Sequence, residues 1–594
     1  MLVSANLRMK LGGWIALVAA AAAPVWVVID SWGGGKPLAF ALGGFFPLTD
    51  GAMWWTCALQ LAGLGSLPGP FGWVTFDSSG YCTNRPTHTG LLATLQILAG
   101  FDPHVLLLML ALLIGVAMAY LSLEVARTFG WLAAAATYGL VLAFASEHAL
   151  SVFTSEATGL FLGLLAVGFL VRFLRTDAWP DACAGIAALS IAVFTRAGAL
   201  LVLPVLLLWI VWQARPLRGR SRYTFLLGGA GCVAAGYLLQ RALLVFLGDP
   251  SGGHLSNFSV VLYSLATGSR DWREALVLYG VETPAPVETM NMILTMAISK
   301  VQEQPGIFLR SLALAAPDYL VTLFRLPGLA AINSLLIALL AIGVLCLLLS
   351  IRRRACQLLL LVAAGEALSA PLIFDADGLR VFAATFPIRC VLVAVAVSAL
   401  GRLLAAAVHR RSMRGAFIEL IPGTASGTGR RVSAAVLVGV VLAMFFTTTP
   451  FARPFRLMPL QAADVACPDE VPPVVVVANR GSTSQLIAES SAPRTAGGLS
   501  VSSLERELRD AWFREDFAQV PHNTLLLHAI DRNPSNFGRE ISLLWMNADP
   551  TVRDGDVLRL CLLPHLTRAP HRRFTRLAYH RYFMASPVTV TRSH

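Results

Sequence analysis

Charge is scarce in this sequence. Asp, Glu, Lys and Arg together make up only 13% of its 594 residues. Lysine is almost missing, being confined to Lys10, Lys36 and Lys300, so the formal net charge of +12 is carried by arginine. Metal-binding spacings of the CxxC or HExxH kind are absent, which leaves no sequence signature of a structural zinc site or a zincin. What is abundant is apolar: 56% of residues are hydrophobic, with 49 Gly and 32 Pro, and the mean hydropathy is +0.67. A chain this apolar cannot cover a water-exposed surface, which excludes a soluble enzyme, a coiled coil and a disordered protein. It reads as a polytopic α-helical membrane protein.

Apolar runs of roughly 17 to 25 residues mark spans. They predict helices over 11–29, 103–124, 130–147, 157–171, 181–194, 197–213, 224–247, 331–350, 356–373, 386–407 and 433–449, about eleven in all. Arginines gather in alternate gaps: Arg8 with Lys10, Arg127, Arg172 with Arg175, Arg215 to Arg222, Arg352 to Arg354, and Arg410 to Arg431. The positive-inside rule makes these gaps cytoplasmic. The remaining gaps hold Asp50, Asp77, Glu147, Glu156, Asp249, Asp271 and Asp375, and are therefore exterior. Arginine clustering is thus a topological signal, and nucleic acid is not an expected partner. The expected location is a bacterial inner or plasma membrane, multi-pass, with a cytoplasmic N-terminus.

This layout divides the chain into a membrane domain, 1–449, with long exterior segments 30–102 and 248–330, and a tail, 450–594, which an odd number of spans places on the extracytoplasmic side. The tail regains charge, Asn and Ser, and reads as a soluble α/β domain. Strands are predicted at Val474–Asn479, Thr524–Ile530, Ile541–Trp545 and Val557–Leu562, with a helix from Ser500 to Phe517. Of nine cysteines most lie in or beside predicted spans, where a small apolar side chain explains them. Cys467 and Cys561 stand in the tail and either close a disulfide in an oxidising compartment or remain free.

Several exterior residues have the chemistry of a site, each with a plainer reading beside it. Asp50 precedes an amphipathic stretch in which Met53, Trp54, Leu59 and Leu61 suit the membrane interface; it serves as a general base on a hydroxyl, or it caps that helix. Tyr81, Asn84, Arg85 and His88 form a polar cluster whose Arg suits phosphate, or anchors the chain at headgroups. Glu156 follows Ser155 at a helix start, as a second acid or as a dipole-stabilised cap. Arg196, in VFTRAGALL, is an exterior cation that needs a partner, either a phosphate or Glu156. Arg380, in DADGLRVFAATFP, binds a ligand or pairs locally with Asp375 or Asp377. Arg270 and Trp272, in ATGSRDWREAL, shape a sugar or pyrophosphate pocket or anchor an interfacial helix. Glu366 and Arg389, inside spans, read as a structural intramembrane pair.

The order of these features resembles the GT-C superfamily of integral-membrane glycosyltransferases that use polyprenyl-phosphate-linked sugars, of the mannosyl-, aminoarabinose- and arabinosyl-transferase type. The resemblance covers roughly 1–450. It makes Asp50 the catalytic base and Glu156 the second acidic residue. It aligns Arg196 with the Arg of a T-R-P-like stretch, where Ala197 replaces Pro, and Arg380 with an R-Y-x-x-P-like segment, where Val381 replaces Tyr. It implies a polyprenyl-phosphate sugar donor, contact with membrane lipids, and a glycan, lipid or protein acceptor. Asp50 lacks an adjacent acidic partner, so a divalent metal stays open. A transporter or lipid flippase, and a noncatalytic envelope scaffold, are the competing classes. The first would place ionisable groups near the midplane and show interrupted helices or repeats.

Overall fold

A computed structural model describes residues 17–30, five positions between 51 and 61, 85–100, 103–150, 152–246 apart from 197, 256–269, 278, 287–373, 378–408 and six strands between 473 and 591. The membrane part is helical throughout these residues. Its helices are α1 (Leu17–Asp30), α2 (Pro86–Leu98), α3 (Pro103–Phe129), α4 (Trp131–His148), α5 (Ser155–Thr176), α6 (Trp179–Thr195) and α7 (Val202–Ala214). Then follow α8 (Gly219–Phe246), α9 (Ser256–Thr267), α10 (Val287–Glu303), α11 (Pro305–Thr322), α12 (Asn333–Leu349), α13 (Arg354–Ser369) and α14 (Phe386–Val408).

Among the described residues, five stretches, Val105–Phe129, Ser155–Thr176, Gly219–Val245, Arg354–Ile373 and Phe386–Leu404, are long and apolar enough to cross a membrane. Shorter apolar helices, among them α1, α6, α7 and α12, pack beside them. The figure of eleven spans is therefore not reproduced by length and composition. The spans predicted at 181–194, 197–213 and 331–350 form helices of only 13 to 17 residues, and that at 433–449 lies outside the described residues. Large apolar side chains such as Leu227 and Leu404 stand exposed on the outer faces. Such a surface suits lipid and is unsuited to water.

α5 is the axis of the bundle. It is apolar on every side, and every residue from Ser155 to Leu174 is buried, as expected of a helix with no polar face. It packs against α3 and α6, α6 packs against α8, α14 against α4 and α12, and α7 against α13. Glycines allow the closest approaches. A Cβ on Gly236 of α8 would stand 2.3 Å from the Ser190 carbonyl oxygen of α6, and one on Gly343 of α12 would stand 2.0 Å from that of Leu392 in α14. Small residues at crossings let backbones meet where van der Waals contact is the main attraction.

Two features of the exterior segments differ from expectation. α2 forms inside the predicted loop 30–102, started by Pro86 in the first turn and buried from Pro86 to Ile97. A Pro at the first helical position is pre-set for the helix and loses no bond; with 13 residues it falls below the length of a span. Positions 51, 54, 57, 58 and 61 are helical, as predicted for the stretch after Asp50, but Trp54, Cys57 and Ala58 are buried in protein rather than laid along an interface. Cys57 is also disulfide-bonded, whereas Cys183, Cys232, Cys346, Cys356 and Cys390 are free thiols. Cys561 falls in a tail strand, and Cys467 lies outside the described residues.

The tail contributes a six-stranded sheet: β1 (Pro473–Val477), β2 (Thr483–Leu486), β3 (Thr524–Ile530), β4 (Glu540–Trp545), β5 (Val557–Leu563) and β6 (Tyr582–Thr591), in the order β1-β5-β6-β4-β3-β2. All neighbours are antiparallel except β4 and β6. Four of these strands carry the predicted apolar runs. β2, with sequence TSQL, has too little apolar content to signal itself. β6 is interrupted by Pro587, which cannot donate to a ladder; the pairing stays intact because the register with β5 shifts between Arg559 and Leu560, beside Pro587. The predicted helix 500–517 lies outside the described residues.

Candidate active site

The N-terminal end of α5 collects three segments that are far apart in sequence. Thr154 is its N-cap in extended geometry with no side-chain cap bond, and Glu156 sits in the first turn. The turn after α6 supplies Arg196, its C-cap residue. A 3-10 turn over Gly378–Phe382 supplies Arg380. The Arg196 guanidinium (Nη2) stands 2.9 Å from Glu156 Oε1 and Arg380 Nε stands 3.6 Å from the same oxygen. Glu156 is 1% exposed, the Arg196 side chain 12% and the Arg380 side chain 32%.

One buried carboxylate thus faces two arginines, of which Arg380 is the more exposed. The contacts are ionic and loosely aligned: neither Glu156 oxygen nor Arg196 Nε completes a hydrogen bond of good geometry among the described residues. The donor fork of Arg196 is therefore not saturated by the carboxylate. Arg is the side chain suited to bidentate contact with a tetrahedral anion. The helix N-terminus adds unpaired backbone N–H groups and its own positive dipole end.

Glycine makes this convergence possible. A Cβ on Gly159 would stand 2.8 Å from Arg196 Cβ, so the arginine lies directly over that position. One on Gly163 would reach 2.1 Å from the Ala384 carbonyl oxygen, and one on Gly198 only 1.8 Å from that of Val381. No side chain fits at either place. These three glycines escaped the sequence reading. Their signal was present: Gly159 and Gly163 have the small-xxx-small spacing of a close helix contact, and Gly198 belongs to the same TRAG stretch as Arg196.

His88 supports the same helix end from the other side. It is fully buried, with Nδ1 2.8 Å from Thr158 Oγ1 and Nε2 3.4 Å from the Phe153 carbonyl oxygen. Trp54 meets it edge to face at 5.2 Å between ring centres. His88 therefore joins the helix that follows Asp50 to the segment that carries Glu156. The Arg85 carbonyl accepts from Thr89 N–H and Oγ1 at the start of α2, and its side chain is buried. The sequence reading placed Arg85 and His88 in an interfacial cluster; the apolar turns of α2 carry both into the bundle instead. Asp50, Tyr81, Arg270 and Trp272 lie outside the described residues.

Glu366 and Arg389 do pair, inside the bundle. Arg389 donates to Glu366 from its guanidinium and to the Leu323 carbonyl oxygen at 2.9 Å, and Tyr319 Oη donates to Glu366 at 3.1 Å. Phe382, Phe386 and Tyr319 surround the guanidinium at 4.9 to 5.9 Å from their ring centres. This charge is neutralised internally, as a buried ion pair must be. Because Phe382 ends the turn that carries Arg380, the pair also fixes that turn against α14. Tyr319, the third member, had no sequence signal, because α11 is not contiguous with either partner.

Among the described residues no group of three or more His, Cys, Asp or Glu side chains has the arrangement of a metal site. No known family profile matches the sequence, and no curated protein matches it. Among solved structures, the Archaeoglobus fulgidus oligosaccharyltransferase, crystallised tethered to an acceptor peptide with the NVT sequon, aligns with 15% identity and a TM-score of 0.35, over 75% of this chain and 55% of the other. This chain thus spans about half the length of that protein. A likeness of that extent fixes neither ancestry nor chemistry.

Proposed function

We propose that this protein is an integral-membrane glycosyltransferase of the GT-C kind, which moves a sugar from a polyprenyl-phosphate donor to a glycan, lipid or protein acceptor on the extracytoplasmic face. The observation that carries this reading is the Arg196–Glu156–Arg380 cluster. Two arginines are pre-positioned by one buried carboxylate, with Arg380 on the more exposed side. Such a device binds a phosphate whose negative charge grows during the reaction.

In this reading Asp50 removes the proton from an acceptor hydroxyl. The hydroxyl oxygen attacks the anomeric carbon, the bond from that carbon to the lipid phosphate oxygen breaks, and the departing phosphate takes up the electron pair. Arg196 and Arg380 neutralise the charge that develops there. Glu156, buried and engaged by both, positions the arginines rather than exchanging protons with a substrate. His88, also buried, holds the end of α5 and so positions Glu156. Arg85, Tyr81, Arg270 and Trp272 remain proposed contacts to donor or acceptor, with no geometry attached to them.

A transporter would use a membrane-embedded ionisable group, for which Glu366 is a candidate. Its bonds to Arg389 and Tyr319 instead support a fixed structural role. The experiment is transfer of radiolabelled sugar from a panel of polyprenyl-phosphate sugars to envelope acceptors, comparing the purified wild type with Asp50→Asn. Transfer that collapses in the variant at equal thermal stability supports the assignment. Equal transfer by both removes Asp50 from the role of base, and no transfer from any donor by well-folded protein overturns the glycosyltransferase reading.

A further inference from the structure

A cavity of about 800 Å³ lies between α7, α11, α12, α13 and α14, apart from the arginine cluster. Its lining on α13 runs from Gln357 to Ala367, about 15 Å at the rise of an α-helix. The walls are apolar, with Leu340, Val344 and Leu360 among them, and its rim residues Leu208, Trp212 and Leu348 are widely exposed on the outer face of the bundle. It is therefore a slot open sideways, toward lipid.

The two ends of the slot differ in charge. At one end Glu366, Arg389 and Tyr319 satisfy one another, so that end presents no net charge to a ligand. At the other stand Arg352, which lines the slot, and its neighbours Arg353 and Arg354. Trp212 borders this end and carries the Arg215 guanidinium 5.5 Å from its ring centre. Trp and Arg together mark the level of lipid headgroups.

We propose that this slot binds one acyl chain of an anionic glycerophospholipid, whose phosphate is held by Arg352. The charge pattern selects that occupant. A polyprenyl-phosphate donor seated at the arginine cluster would bring only its uncharged tail to Arg352. The two phosphate positions are also at opposite ends of α13: Leu201, just after the Arg196 turn, bonds Ser369 at its C-terminal end, whereas Arg352 stands two residues before its first residue, Arg354. Sixteen residues of helix separate them by about 24 Å, so no single headgroup touches both. The slot lipid is a second lipid, and the inference does not depend on glycosyl transfer. Only the leaflet, cytoplasmic, rests on the proposed topology.

The test is retention of added lipid by the purified full chain in detergent, read by native mass spectrometry. Phosphatidylglycerol is compared with phosphatidylcholine of the same chains. Both lipids carry a phosphate, but in phosphatidylcholine the choline cation offsets it; attraction of one interfacial Arg to net-anionic lipid amounts to about 1 kcal/mol, so phosphatidylglycerol is expected to be retained about fivefold more strongly. Arg352→Gln should abolish this preference while leaving chain binding intact, and Arg353→Gln should leave the preference unchanged. Ala364→Trp, at an exposed slot position, should expel both lipids. Equal retention of the two lipids by the wild type would overturn the proposal. So would an effect of Arg353→Gln equal to that of Arg352→Gln, which indicates a diffuse basic surface. Cross-linking of a cysteine at Leu208 to the 433–449 segment would assign the slot to the chain itself and overturn it as well. Because Arg352 and Arg353 are exposed, those variants keep their fold whatever Ala364→Trp does.

Discussion

A carboxylate buried to 1% between two arginines has a different part in chemistry from one that faces solvent. It cannot reach a substrate proton, yet its removal changes the position of two cations at once. Arg196→Ala and Arg380→Ala are each expected to lower kcat/KM for sugar transfer by about 10²-fold, the usual loss when one donor to a developing oxyanion is deleted. Glu156→Gln should lower kcat to a similar extent without shifting the pH profile of kcat/KM, as befits a positioning group. A shift of that profile would identify it as a titrating participant instead. The Glu366–Arg389 pair gives the opposite pattern. Glu366→Gln strands a buried guanidinium and should cost about 3 kcal/mol of stability, whereas Glu366→Leu combined with Arg389→Met should recover much of it in thermal unfolding. How legible these residues were depended on their neighbours in sequence. Arg196 and Glu156 were visible as an exterior cation and an exterior acid, and Glu366 with Arg389 as intramembrane charges. Tyr319 and Thr158 were not, because only tertiary contact joins them to their partners.

At the scale of elements the fold turns on where side chains are missing. The turn after α6 and the 3-10 turn before α14 are brought together through Gly198, and a Cβ there would lie 1.8 Å from a backbone oxygen. Gly198→Val is expected to destabilise by about 3 kcal/mol or more, the upper range for overpacking, and to abolish transfer by parting Arg196 from Arg380. Gly139 of α4 provides the contrast, having nothing within 4 Å of its would-be Cβ. Gly139→Ala should stabilise by about 0.5–1 kcal/mol through helix propensity alone. Differential scanning measurements on both variants in one detergent compare the two outcomes directly. Long apolar runs predicted α3, α5, α8 and α14 well, since hydropathy alone defines a helix in lipid. α2 was hidden because it is short, and because buried Thr87, His88, Thr89, Thr94 and Gln96 dilute its apolar signal.

For the whole molecule, the predicted orientation can be tested without any knowledge of substrate. A cysteine placed at Ser299 of α10 should react with a membrane-impermeant maleimide in intact cells, and one at Arg353 only after permeabilisation; reversed labelling would invert the positive-inside assignment. The same side is predicted to be oxidising. Non-reducing peptide maps should recover Cys57 in a disulfide, with Cys82 the expected partner because both stand in the predicted exterior segment 30–102, while Cys183 and Cys232 stay reactive after unfolding. The two halves of the chain differ in legibility for a physical reason. Lipid imposes one rule on every residue of a span, so the membrane part announces itself; a sheet in water depends on pairings between distant strands.

That sheet places a constraint on the order of its own assembly. β6 is the last of the described strands, yet it lies between β5 and β4. Until it emerges, β1 with β5 and β2 with β3 and β4 are two separate ribbons, each presenting a bare edge. Polypeptide is made at roughly 5–20 residues per second, so the nascent tail passes through a phase in which these edges stand open to intermolecular pairing. A helper that shields strand edges during export, or a slow site of synthesis placed before β6, would alter the yield of this protein without touching a single contact of its folded form.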